Sequence, residues 1–193
     1  MENQTAPGAQ DQRSFGGIDP GKDGCLAVIR PSGDVEFHDV PTAWVEKTTK
    51  TKAGNKKQHR VYLPIEMLRM VRDARVDHFT IEKVQPMPAI RGGMVRQGAV
   101  YAFASGEGWG LWQMLLAVCS VEGERTSTYQ AVHSSHWKSV LMHGEPKTKE
   151  AVIPFAQRLY PKAAGMLRGP KGALLIDRAD ALLLAHFGKL GLR

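Results

Sequence analysis

The chain has little cysteine, no long apolar run and a shortage of acid, and each scarcity narrows what it can be. Its two cysteines, Cys25 and Cys119, are too few for a disulfide framework or a cysteine-built zinc site. Each stands in an apolar run, CLAVI and LLAVC, where cysteine behaves as a small buried hydrophobe. Such usage suits a reducing compartment. No apolar run approaches the roughly 20 residues that a membrane-spanning helix requires. The opening MENQTAPGAQDQRS has neither the apolar core of a secretory signal nor the arginine-rich amphipathic look of a transit peptide. These absences predict a cytoplasmic protein, bacterial or phage-encoded in its host, or an organellar one whose transit peptide has been removed. Acid is outnumbered: 19 Asp and Glu stand against 26 Lys and Arg, a formal charge of +7. A surface of that sign favours a polyanionic partner, of which nucleic acid is the commonest.

What is present suits one folded domain. The chain has 193 residues, 42% hydrophobic and 23% charged, enough to bury a real core. Residues 1–13 are polar with Gly and Pro and read as a flexible tail; the domain is expected over 14–193. FGGID, CLAVIR and VEFHDV read as three short strands, the last two separated by the turn signal Pro31-Ser32-Gly33-Asp34. Asp23-Gly24 suits a tight turn before the second strand, so an antiparallel meander is expected. Glu46–Arg60 carries Lys47, Lys50, Lys52, Lys56, Lys57 and Arg60 against one acid, without apolar periodicity. It reads as an exposed basic loop, either a solvated charge run or a phosphate-contacting arm through Lys50, Lys52, Lys56 and Lys57.

Pro64 opens a helix with Ile65, Leu68, Met70 and Val71 at helical spacing. The strand His78–Glu82 follows it, plausible as a parallel neighbour of the first strand. After the Pro- and Gly-rich stretch 84–98 comes a helix over Ala99–Val118, with Gly106-Glu107-Gly108 as a point of kinking or interruption. Thr126–Val132 reads as a strand, and Lys147–Leu159 and Leu174–Phe187 as helices. The order βββαβαβαα describes an α/β fold, a mixed sheet flanked by helices.

Acids interrupt this apolar pattern at telling places. Asp19 ends the first strand and Glu82 the strand after the first helix, each beside residues that should be buried. A carboxylate there must be paired or bind a cation, since an isolated buried charge is very costly. If the two strands are neighbours, their acids lie side by side. Asp177 and Asp180, at i and i+3 on the last helix, share one of its faces. Four carboxylates from two strands and one helix form a hard-oxygen set suited to Mg²⁺, with Mn²⁺ as substitute. Two such ions, about 3.5–4 Å apart, can activate water and stabilise a leaving oxygen in phosphodiester hydrolysis. Plain alternatives stand beside each residue. Asp19 suits the start of an Asp-Pro-Gly turn, Glu82 a partnership with Lys83 or an arginine, and Asp177 a helix cap with Asp180 as a first-turn acid. His133, His136 and His143 lack metal-ligand spacing.

GIDPGKDGCLAV, FTIEKV and DRADALLLAHFG resemble the three acidic motifs of RuvC-type Holliday-junction resolvases, which belong to the RNase H-like superfamily. SSHWKSVL, KTKEAVIPFAQRLYP and RADALLLAHFG look most like the branch with chloroplast and phage resolvases. The resemblance covers most of the chain after Arg13. It implies an RNase H-like fold and a Mg²⁺-dependent crossover junction endodeoxyribonuclease, with Asp19, Glu82, Asp177 and Asp180 as metal ligands. It implies, too, that Lys138 and Lys149 sit near the cleft on phosphate, with Lys138 close to the chemistry. The stretch after Glu82 corresponds to one that reaches a junction centre in resolvases, here offering Gln85, Arg91, Arg96 and Gln97, types able to read base edges. A homodimer is implied as well, matching the symmetry of a four-way junction. Two other functions are compatible with these residues: a nuclease acting on RNA or RNA–DNA hybrids, and a non-catalytic junction-binding protein.

Overall fold

The computed structural model describes residues 12–50, 56–84, 99–121 and 127–193. Among the described residues there are seven strands: β1 (Phe15–Asp19), β2 (Cys25–Ile29), β3 (Val35–Asp39), β4 (Thr42–Lys50), β5 (Lys56–Tyr62), β6 (His78–Glu82) and β7 (Thr128–Val132). Five helices accompany them: α1 (Pro64–Asp73), α2 (Ala99–Val121), α3 (Ser134–Leu141), α4 (Lys149–Leu159) and α5 (Ile176–Lys189). A 3-10 helix over Pro161–Leu167 joins α4 to the approach to α5.

The main sheet runs β3-β2-β1-β6-β7. β1, β2 and β3 form the expected antiparallel meander, while β6 pairs parallel with β1 and β7 parallel with β6. Parallel strands require crossovers, and α1 and α2 lie in the two connections. Pleat alternation divides the core between the two faces. Ile18, Leu26, Val28, Phe79 and Ile81 pack with Met67, Val71, Trp112 and Leu116 of α1 and α2. Cys25, Ala27 and Ile29 pack with Trp137, Ile153 and the Leu182–Phe187 run of α3, α4 and α5. The fold is α/β and RNase H-like, a mixed sheet with helices on both faces.

One contact sets the depth of α5. A β-carbon on Gly17 would overlap the backbone of Ala181 and Ala185, so only glycine lets the helix lie directly on β1. Gly108 of α2 is similarly closed in by the Tyr62 ring. α2 runs unbroken through Gly106-Glu107-Gly108 to Val121; Gly108 permits the close approach of Tyr62 without interrupting the helix.

Several expectations need correction. Glu46–Arg60 is not a loop: its described residues belong to the antiparallel hairpin β4–β5, with Thr42 opposite Tyr62 and Lys50 opposite Lys56. A two-stranded ribbon standing off the core needs no apolar face, so the period expected of a half-buried strand is missing. On α1 the buried side chains are Met67 and Val71, whereas Ile65 is 63% exposed. α3 was not anticipated as an element; its eight residues offer a single large buried anchor, Trp137. Of the expected tail, residues 1–11 lie outside the described residues, and Arg13 places its guanidinium over the Phe15 ring.

Candidate active site

β1 and β6 run in register with Ile18 opposite Ile81, which brings their last residues, Asp19 and Glu82, to adjoining strand ends. Past Asp19 the chain turns through Pro20-Gly21, and the Gly21 N–H donates to Asp19 Oδ1 at 3.3 Å. The Trp137 indole, wholly buried from α3, donates from Nε1 to Glu82 Oε2 at 3.0 Å. α5, seated on β1 at Gly17, carries Asp177 and Asp180 into the same neighbourhood. Leu175 holds the N-cap position of α5 and no side chain makes a cap bond there. Asp177 is therefore inside the first turn and does not serve as the cap.

An open cleft of about 530 Å³ has Asp19, Glu82 and Asp177 in its wall, together with Lys22, Tyr62 and Ser105. Asp180 is not in that lining. It is largely buried; its Oδ2 lies 3.3 Å from Lys138 Nζ, and its Oδ1 is buried with no hydrogen-bond partner among the described residues. Lys138 Nζ also sits 4.8 Å from the Trp137 ring centroid.

The electrostatics follow from this crowding. Burial pushes Asp19 up to about 7, with the Asp177 charge adding to the rise, the Gly21 N–H opposing it, and Glu82 and Asp180 contributing less. Burial likewise raises Asp180 to about 6, opposed chiefly by the Lys138 charge. Both acids are thus poorly compensated anions, the condition under which carboxylates take up a cation or a proton. Among the described residues no three His, Cys, Asp or Glu side chains stand close enough, as placed, to hold one ion. The donor set nevertheless fits a hard divalent cation: all four donors are carboxylates, and Asp180 Oδ1 is a buried acceptor in want of a partner.

The remaining anticipated residues fall in several places. Lys56 and Lys57 are exposed on β5, Lys56 Nζ bonding Glu46 Oε2 at 2.6 Å; Lys50 ends β4. Lys149 is the first residue of α4, behind the N-cap Thr148. Lys52, Gln85, Arg91, Arg96 and Gln97 lie outside the described residues.

Sequence reasoning missed four groups. Arg60, counted there as a loop cation, roots the hairpin: it donates to Thr42 Oγ1 at 2.7 Å and to the Lys22 carbonyl at 2.5 Å, and pairs with Asp23. Lys22 Nζ returns a bond to the Arg60 carbonyl at 2.8 Å. Tyr62 OH donates to the Pro20 carbonyl at 3.2 Å. Arg178, between the two α5 acids, grips Asp39 at the end of β3 with both oxygens 2.9 Å away. Lys22 lies inside the GIDPGKDG motif, the one signal that pointed to it.

No protein-family model matches the chain, and no curated protein matches it. Solved structures do. A Thermus thermophilus RuvC structure aligns with a TM-score of 0.51 at 16% identity, covering 92% of this chain and 96% of that one. T. thermophilus RuvC in complex with a Holliday junction substrate aligns with a TM-score of 0.49 at 12% identity and the same coverage. At such identity the first of these shows the fold alone.

Proposed function

We propose that this chain is a divalent-metal-dependent endonuclease that resolves four-way DNA junctions as a homodimer, akin to the chloroplast and phage resolvases. The observation that carries the reading is the meeting of Asp19, Glu82 and Asp177 around one cleft at the ends of adjacent parallel strands, with Asp180 and Lys138 beside it.

Asp19, Glu82, Asp177 and Asp180 would hold the ion, Mg²⁺ with Mn²⁺ as substitute. When bound, it supplies Lewis-acid stabilisation of charge on phosphate and a water of lowered pKa. The chain's own residues do the rest. Trp137 fixes the Glu82 carboxylate in one rotamer through its Nε1 bond. Lys138 tempers the charge of Asp180 and presents a cation to a phosphate drawn into the cleft. Asp19, held by the Gly21 N–H, keeps an oxygen facing the cleft.

Several features support a DNA substrate. The chain carries +7 overall. The β4–β5 hairpin borders the cleft at Tyr62 and carries exposed Lys56 and Lys57 along β5, with Lys50 at the end of β4, and Trp44 is 66% exposed with the Arg60 guanidinium 6.0 Å from its ring. Exposed aromatic and basic groups together suit stacking and phosphate contact. Gln85, Arg91, Arg96 and Gln97, following Glu82 in the chain, are assigned to the junction centre, and Lys52 and Lys149 to backbone phosphates. The outer face of α2 supports self-association, with Phe103 79%, Met114 65% and Val121 83% exposed.

A cleavage panel tests the proposal: a four-way junction, a flap, a linear duplex and an RNA–DNA hybrid, each with Mg²⁺ and with EDTA. Paired nicks in the junction alone, abolished by EDTA, are expected. Preferential cutting of the hybrid would move the protein to RNase H-type activity, and tight junction binding with no cleavage in either Mg²⁺ or Mn²⁺ would make it a binding protein.

A further inference from the structure

Immediately before α5 the chain makes a tight projection over Arg168–Leu174. Arg168 and Leu174 form an antiparallel bridge. Within it, Gly169 N–H donates to the Ala173 carbonyl at 2.8 Å and Gly172 N–H to the Gly169 carbonyl at 3.1 Å, while Leu175 N–H closes on the Leu167 carbonyl at 3.1 Å. With these backbone groups paired, the turn is a built element and not loose chain. At its apex stands Lys171, with φ 57° and ψ 22°. That left-handed region is at home to Gly and, among other residues, chiefly to Asn and Asp. Lys171 nonetheless occupies it, as Arg75 does at φ 47°.

Charge compensation sets this turn apart from its surroundings. The neighbouring cations are already answered: Arg60 by Asp23, Arg178 by Asp39, Lys22 by Glu107 and Lys162 by Asp34. Arg168 and Lys171 are exposed, and neither has an acidic partner among the described residues. The base of the turn also borders a groove that adjoins the carboxylate cleft. This groove, of about 310 Å³, shares Lys22, Asp23, Gly24 and Asp177 with the cleft and has in its wall Leu175, the residue that closes the turn. A nucleic-acid backbone leaving the carboxylates along this groove passes walls whose cations are neutralised. The turn beside Leu175 offers that backbone two cations with no acidic partner among the described residues.

We propose that the Arg168–Leu174 turn is a phosphate-gripping prong, Lys171 and Arg168 contacting the backbone of the strand that runs from the carboxylate cleft along this groove. The assignment rests on the nuclease reading above. It adds a second grip on the α5 side of the cleft, opposite the β4–β5 hairpin.

The test measures binding in full-length protein carrying Asp19→Asn, so that nothing is cut, with a fluorescent four-way junction across a salt series. Lys171→Asn removes the charge while keeping a residue suited to the left-handed backbone, so its melting temperature should equal or exceed the parent's. Arg168→Gln and the double variant complete the set, with Lys162→Gln as the control for a mere change of net charge. Each prong substitution is expected to lower the slope of log affinity against log salt by about 1, and the pair by about 2, as loss of one phosphate contact each requires. Lys162→Gln should leave the slope within error. An unchanged slope in the double variant, beside a parent that binds the junction, overturns the prong and leaves the nuclease reading intact. An equal fall with Lys162→Gln overturns it as well. A parent that binds no DNA would sink the nuclease reading and the prong with it.

Discussion

Asp177 and Asp180 are separated by one helical turn yet occupy different surroundings, and a single substitution distinguishes their work. Asp180 is largely buried against Lys138, whereas Asp177 lines the open cleft with Asp19 and Glu82. With Leu175 at the N-cap position, Asp177 is not the cap of α5. If it is a ligand, Asp177→Asn should lower the Mg²⁺-dependent cleavage rate by a hundredfold or more, about 2.7 kcal/mol or above in the barrier, with the melting temperature scarcely moved. Part of the rate should return in Mn²⁺, which accepts a poorer ligand set. Near-normal cleavage in Mg²⁺ would reduce the core to Asp19, Glu82 and Asp180.

Asp19 gives a second prediction, through its proton. Its folded value, about 7, lies above the 3.8 of an unperturbed aspartate, so the folded state binds the proton more tightly than the unfolded one. The stability this contributes is complete below about pH 4 and is lost as pH rises toward 7. His78 and His186 act in the opposite sense, since burial lowers both; they favour the folded state as pH rises to their ordinary value. Comparing wild type with Asp19→Asn cancels the histidines. In EDTA the variant's melting temperature should gain on wild type steadily from pH 4 to pH 7. Saturating Ca²⁺ or Mg²⁺ at pH 7.5 should then raise the wild type more than the variant. A difference that stays constant across pH would show that Asp19 is not the acid under strain.

At the level of elements, Gly17 decides where two of the four acids stand. α5 rests on β1 with no room for a β-carbon there, and the carboxylates of Asp177 and Asp180 reach the ends of β1 and β6 only at that separation. Gly17→Ala should cost about 1–3 kcal/mol by overpacking, a fall of roughly 2–4 °C in melting temperature for each kcal/mol in a chain of this size. Cleavage below the melting range should fall further than stability, because the helix shifts away from Asp19. A variant of wild-type stability and rate would mean that α5 can move without consequence.

How much of this was legible depends on whether a residue's reason lies nearby in the chain. β1, β2, β3 and β6 could be read from short apolar runs and turn residues, and Asp19 and Glu82 stood out as acids closing two of them. The hairpin escaped because Tyr62 alone is buried among its described residues, and α3 because its period rests on one tryptophan. Trp137 and Glu82 lie 55 positions apart and Arg178 and Asp39 lie 139 apart; no local spacing announces such pairs. Arg60 is the sharpest instance. By composition it belonged to a basic run, whereas in the fold it is the root of the ribbon.

For the whole molecule the unresolved matter is the outer side of α2. Its inner side buries Trp112, Leu116 and Cys119 and presses Gly108 on Tyr62. Its outer side leaves Phe103, Met114 and Val121 largely exposed, with open space at Gly106 and Gly110. A helix apolar on both sides belongs inside a structure, and on a chain with a charge of +7 such a stripe is where self-repulsion would be overcome. A second copy is the partner that a four-way junction would reward, since an isologous pair presents two identical clefts to two symmetry-related strands. Wild type should therefore sediment as a dimer. Met114→Glu places an unneutralised charge in the stripe, and two-fold symmetry places it there twice; the dimer should weaken by roughly 100-fold or more, about 2.7 kcal/mol. Because each subunit keeps its own carboxylates, the monomeric variant should still nick. What it should lose is concert: a supercoiled plasmid bearing an extruded cruciform should be converted to the nicked circle, whereas wild type should linearise it by two cuts within one bound lifetime. Met114→Leu, which keeps the stripe apolar, should retain both dimer and linear product. If Met114→Glu still linearises the plasmid, or if wild type sediments as a monomer both free and on the junction, α2 is not the interface and its exposed stripe needs another partner.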